Sequence, residues 1–149
     1  MLKFEPTYTS TSDDHGVGNV FWTRDGKAYR WLQAVDLAWV VDNVVLPADT
    51  SCTTGTIDVA GGSAIGLRPL GIAKAATALS SYGFVQCAGV ADVYTDGAVT
   101  VGQQLTQHAS VNGQADTMAD GLEELVFGTA LETDGGSPTT SATLLQGLV

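Results

Sequence analysis

The sequence predicts an all-β protein, a single small β-barrel or β-sandwich domain with extended terminal arms, and three observations carry that expectation. Apolar runs are short and rich in Val, Phe, Tyr and Ala; glycine interrupts them every few residues; and two Asp-Gly pairs, Asp25-Gly26 and Asp96-Gly97, stand between apolar runs. Asp-Gly in that setting signals a hairpin, because a two-residue type I′ turn requires positive φ at both central positions. The texture is clearest over residues 68–131, where Lys74 is the one basic residue after Arg68.

Taken in order, residues 1–18 read as an extended N-terminal arm and residues 19–149 as a single β domain. The first residues combine Thr, Ser and Asp with isolated apolar anchors at Leu2, Phe4 and Tyr8. Such a segment either frays or orders on a neighbouring subunit, and the spaced aromatics favour the second. Residues 19–24 and 27–35 then form a hairpin around Asp25-Gly26, with Tyr29, Trp31 and Val35 on one face of its second strand. Residues 37–46 fit a buried strand better than a short helix, since Val40, Val41, Val44 and Val45 are β-branched, and Asp42-Asn43 marks a turn or bulge inside it.

Residues 47–66 read as loop around a short strand at 56–60, with a break at Gly61-Gly62. The Ala-rich residues 71–79 read as strand because Pro69 and Gly71 precede them and Ser80-Ser81 follow. Residues 82–94 form a long strand whose end, 90–94, pairs with 98–101 across Asp96-Gly97. After Leu105 a polar, Gly-rich stretch covers 106–121; a strand follows at 125–131, a loop at 133–140, and a final strand or another arm at 141–149. Two Asp-Gly hairpins invite the idea of an internal duplication. They arise without one often enough in β proteins to be treated as coincidence.

At 149 residues the chain fits one domain, and a domain of that size buries roughly 70% of the surface its unfolded chain exposes. Cys52 and Cys87 are therefore expected as reduced, buried thiols rather than a bridge. Charged residues make up 15% of the chain, below the usual share of about 25%, which points to a surface covered by neighbours. All six basic residues lie in the first half, whereas residues 75–149 hold eight acids and no Lys or Arg. A nucleic-acid partner requires clustered cations, so no direct nucleic-acid binding is expected. No apolar run approaches the roughly 18 residues of a membrane helix, and no membrane association is expected. The first residues lack a secretory layout, so a protein made in the cytoplasm and not exported is expected.

Catalytic chemistry finds no foothold. His15 and His108 are the available bases, and a Ser110, His108 and Asp116 cluster would draw all its members from one loop region, a poor frame for a triad. Residues 61–66 match neither a nucleophile elbow nor a phosphate loop. Asp116, Asp120, Glu123 and Glu124 lack the alternating spacing of a calcium loop and read as a solvated acidic face. No enzyme, cofactor or metal is expected.

Several segments share a layout: Leu70-Gly71-Ile72-Ala73, residues 82–91 (YGFVQCAGVA), 96–105 (DGAVTVGQQL), 127–132 (FGTALE) and, near the front, 26–30 (GKAYR). That layout resembles the capsid decoration, or cement, proteins of tailed bacteriophage heads. The resemblance implies a non-enzymatic virion protein on the capsid exterior, commonly a homotrimer, which clamps neighbouring capsomers of the major capsid protein and so stabilises the head. Within that reading Leu2, Phe4 and Tyr8 are candidate arm anchors, and Trp22, Trp31 and Trp39 serve core or interface packing. The alternative is a carbohydrate-binding or fibre-type β module of a virion surface, with Trp and Tyr as stacking platforms.

Overall fold

The computed structural model describes residues 4–59, 68–120, 123–136 and 139–147. In chain order its strands are β1 Thr9–Ser10, β2 Val20–Trp22, β3 Ala28–Ala34, β4 Val44–Pro47, β5 Thr54–Thr56, β6 Gly71–Ala73, β7 Tyr82–Thr95, β8 Gln104–Gln107, β9 Ala115–Thr117, β10 Gly128–Ala130 and β11 Thr139–Leu145, with a 3-10 turn at Glu123–Leu125. The all-β expectation holds. Among the described residues no helix is long and apolar enough to cross a membrane.

Two closed five-stranded barrels share β7. In the first, β3 pairs with β5 in parallel, while β5–β4, β4–β6, β6–β7 and β7–β3 are antiparallel. In the second, β7 pairs with β9 in parallel, while β9–β8, β8–β10, β10–β11 and β11–β7 are antiparallel. The topology is thus the same, with β3 to β7 of the first barrel matched in order by β7 to β11 of the second. The 14-residue length of β7 permits this. Residues 82–88 close the first barrel against β3, and residues 89–95 open the second against β11. Closure leaves few exposed strand edges to manage.

The match extends to single hydrogen bonds. The antiparallel bridge Trp39–Thr77 recurs as Val99–Asp134. Asp42 N–H donates to the Ala73 carbonyl at 2.9 Å, and Gly102 N–H donates to the Ala130 carbonyl at 2.8 Å. The Asn43 side-chain oxygen accepts from Val40 N–H as that of Gln103 accepts from Thr100 N–H. Asp42 and Gly102 both adopt positive φ, 66° and 87°. An internal duplication is therefore present in the architecture, along an alignment that the Asp-Gly pairs do not mark: Asp96 N–H donates to the Ala115 carbonyl as Val35 N–H does to the Gly55 carbonyl, so Asp96 corresponds to Val35, not to Asp25.

Local signals failed where a longer ladder competed. No hairpin forms at Asp96-Gly97; residues 90–94 pair with β11 in a seven-residue register, and Val99 makes only its bridge to Asp134. The Asp25-Gly26 hairpin does form, as β2 and β3 closed by Thr23 N–H to the Lys27 carbonyl. Elsewhere the strands are shorter than expected. Residues 37–46 reduce to the Trp39 bridge and the start of β4, and 71–79 to β6 and the Thr77 bridge. The strand expected at 56–60 is displaced to β5, with Ala60 outside the described residues. The strand expected at 125–131 is β10, behind the 3-10 turn, and the polar stretch 106–121 holds the end of β8 and all of β9. Residues 141–149 supply a final strand, β11, which begins earlier; residues 148–149 lie outside the description.

From Phe4 onward, the residues expected as an extended arm fold back on their own domain. β1 pairs with β7 at Tyr82 and Gly83. Phe4 packs on Phe21, Tyr29 and Phe84, with ring centroids 5.6, 5.4 and 5.1 Å away. The cause is the outward face of β3 and β7, which aligns Tyr29, Trp31, Tyr82 and Phe84 and demands a cover. A segment of the same chain provides one without the translational cost of association. Leu2 lies outside the described residues.

The interior of the first barrel is a cluster of Leu32, Ala34, Trp39, Val45, Ile57, Leu70, Ala73 and Val85. A second cluster joins the barrels, running from Val44, Leu46 and Ile72 to Val93, Leu105, Phe127 and Leu145.

Candidate interaction site

The barrels meet along a seam made by the loop between β8 and β9, residues 108–114. Val44 N–H and Asn43 Nδ2 both donate to the Gly113 carbonyl, at 2.8 and 3.2 Å. Gly113 N–H donates to the Ile57 carbonyl, Tyr94 N–H to the Asp42 carbonyl, and Val59 N–H to Asn112 Oδ1. Asn43 fills the space that a side chain on Gly113 would need, 2.6 Å from the Cβ position, and Gly113 has φ of 72°. Beside this seam lies a cleft of about 350 Å³ lined by Val40, Val41, Asn43, Ile57, Tyr94 and Asn112.

An apolar strip extends from the cleft over one end of the first barrel. Val40 and Val41 flank the cleft, and Leu37 and Leu79 stand beyond the Trp39–Thr77 bridge; all four are exposed. The second barrel carries Thr100, Val101, Gly97 and Gly136 at the matching positions. Lys74 and Asp42 form a half-buried ion pair of 3.2 Å at the border of the strip, so it carries little net charge. Sequence reasoning passed over Val40 and Val41 because β-branched side chains there read as buried strand, and over Leu37 and Leu79 because they fell within expected strands; all four lie outside the strands that form.

The residues expected at interfaces divide sharply. Trp31 and Trp39 are buried core. Trp31 stacks between Tyr8 and Tyr82, at 5.9 and 6.0 Å, and its Nε1 donates to Asp13 at 3.0 Å. Phe4 and Tyr8 hold the N-terminal segment onto the barrel, so the described anchors serve their own chain. The Tyr8 hydroxyl donates to Asp14 at 2.7 Å, which raises the Tyr8 pKa. Trp22 alone among the tryptophans is exposed, at 63%.

His108 closes its loop rather than priming a nucleophile. Its Nδ1 accepts the N–H groups of Ser110 and Val111, at 3.0 and 2.9 Å, which places the proton on Nε2, facing Asp96 at 3.2 Å and Asp116 at 4.0 Å. Ser110 thus meets the imidazole through its backbone rather than its hydroxyl. In the matching loop of the first barrel, burial works to raise the Asp49 carboxyl. The hydroxyls of Ser51 and Thr54 and the N–H groups of Thr53 and Thr54 outweigh it and hold the group well below the usual carboxylate range. Cys52 and Cys87 are free thiols, and burial pushes Cys87 up to about 11. Among the described residues no group of three His, Cys, Asp or Glu is placed to hold a metal ion.

The fold has a counterpart among solved structures. The head fiber gp8.5 N base of bacteriophage phi29 superposes with a TM-score of 0.58 at 16% sequence identity, over 80% of this chain and 94% of that one. No family model and no curated protein sequence matches the chain.

Proposed function

We propose that the protein is a non-enzymatic structural component of a bacteriophage virion, and specifically a decoration protein that binds the outside of the head and stabilises contacts between capsomers. The observation that carries this reading is the likeness of its fold to the base of a phage head fiber. The exposed apolar side chains of Leu37, Val40, Val41 and Leu79 support it, since a protein that works by contact needs such a surface.

The major capsid protein is the partner, and a homotrimer is the assembly this reading favours. Burial of apolar area at about 25 cal/mol per Å² drives docking against the entropy of association. Many identical sites on one lattice then act together. Sugar stacking is disfavoured as an alternative because Trp31 and Trp39 are buried.

The experiment adds purified protein to heads that lack it and measures co-sedimentation and the temperature at which the heads release DNA. Saturable binding with a raised release temperature is expected. Protein that stays in the supernatant at every concentration refutes the reading.

A further inference from the structure

We propose that copies of this chain associate head to tail, with Trp22 of one copy seated in the cleft between the barrels of the next. The contact goes beyond the capsid reading and does not depend on it.

The knob is Trp22. It is the largest apolar side chain left exposed among the described residues, and it lies on β2, the last strand on its side of the sheet order. Edge strands ordinarily carry charge or proline at such positions. Here Phe21 turns into the aromatic cluster while Trp22 faces solvent.

The hole is the cleft. A cavity of about 150 Å³ accepts a benzene ring, and this one measures about 350 Å³, which suits an indole. Its walls are Val40, Val41 and Ile57; the Tyr94 ring offers an edge or face, and Asn112 Oδ1, which already accepts Val59 N–H, keeps a second lone pair for the indole N–H.

Charge fits the same orientation. Arg24 is exposed two residues after Trp22, and Asp92 is exposed two residues before Tyr94, on the same side of its strand. The hairpin comes from the half of the chain that holds every basic residue, and Tyr94 and Asn112 come from the half that holds none. Knob and hole are different surfaces, so the contact is heterologous and builds a closed ring or an open chain of copies.

Sedimentation equilibrium of the full chain and two variants tests this. The wild type is expected to exceed the mass of one chain as concentration rises. Trp22→Ala and Val41→Asp are each expected to sediment as one chain with unchanged circular dichroism. Mixed together they should recover one-to-one pairs, since the first keeps the cleft and the second keeps the tryptophan. A wild type that remains monomeric, a Trp22→Ala variant that still assembles, or a mixture that fails to pair overturns the proposal. Head binding by monomeric Trp22→Ala would leave the capsid reading standing by itself.

Discussion

The first barrel is aromatic and sheltered, the second is built of small side chains and left bare, although their strand orders are identical. At matching positions the first has Trp39, Val45, Gly55 and Leu70, the second Val99, Leu105, Ala115 and Phe127. Gly55 explains the exchange. A Cβ there would lie 2.5 Å from Val45 and 3.0 Å from the Trp39 indole, so the first barrel gives up a methyl to admit a tryptophan. The second keeps the methyl at Ala115, has Val99 in place of the tryptophan, and fills with Phe127. One topology tolerates both solutions because interiors are filled to a constant density, not to a constant pattern. The outer faces differ in the same way. β3 and the first half of β7 present aromatics that residues 4–22 cover, whereas the second half of β7 and β11 present Val90, Asp92, Ala142 and Leu144.

This contrast can be broken most forcefully at Trp39. Trp39→Ala is expected to cost roughly 3–5 kcal/mol in denaturant unfolding, and Val99→Ala at the matching position roughly 2 kcal/mol. Equal losses would show that the barrels do not differ in packing as described. Next in size is Gly55→Ala, expected to cost about 1–3 kcal/mol in the native background and little beside Trp39→Val, which recreates the pairing of the second barrel. A double-mutant cycle measures the coupling, and additive effects would refute the exchange.

The shelter of the first barrel is tested at Asp13, whose carboxylate accepts from Trp31 Nε1 and from Val17 N–H. Asp13→Ala is expected to cost about 1–2 kcal/mol and to raise amide exchange in β1 while leaving β11 protected. Uniform loosening of both would mean that the N-terminal segment is not a local cover. The smallest effect is expected in acid. Asp49 has a folded pKa below the unfolded value of about 3.9, so its ionised form stabilises the native state above that value. The contribution disappears as pH falls through the folded pKa. Between pH 5 and 2 the wild type should therefore lose more stability than Asp49→Asn, read by thermal unfolding; parallel curves would dismiss the role of the carboxylate.

Legibility in the sequence followed the range of the interaction. The all-β class, the hairpin at Asp25-Gly26 and the long strand beginning at Tyr82 are set by composition and by turns a few residues wide, and they were read. The partner of residues 90–94 was misassigned because Asp96-Gly97 advertises a local mate of four residues, while β11, more than forty residues away, supplies seven. The duplication escaped because its signature in side chains is slight. Gly71-Ile72-Ala73 against Gly128-Thr129-Ala130 is a short match that becomes visible once the backbone pairs the two segments. The glycine repeat has a steric reason. A Cβ at Gly71 would strike the Gln86 carbonyl at 2.5 Å, and one at Gly128 would lie 3.1 Å from the Leu144 carbonyl, both on the closing strand. The contact surface was the least legible part, since Val40, Val41 and Leu37 look like core until the loop that carries them is seen to end at the surface.

The strand common to both barrels also sets how the molecule bears load. At Gly89, with φ of 83°, β7 leaves one barrel and enters the other, and the Gln86 amide donates to the Ala88 and Val90 carbonyls on both sides of that point. Each barrel is closed by its own half of this strand, so removal of the whole strand opens both walls. Tension applied between an anchored face and the rest of the protein therefore crosses two ladders in series, β3 to β7 and β7 to β11, and the weaker of the two sets the force at which the fold first opens.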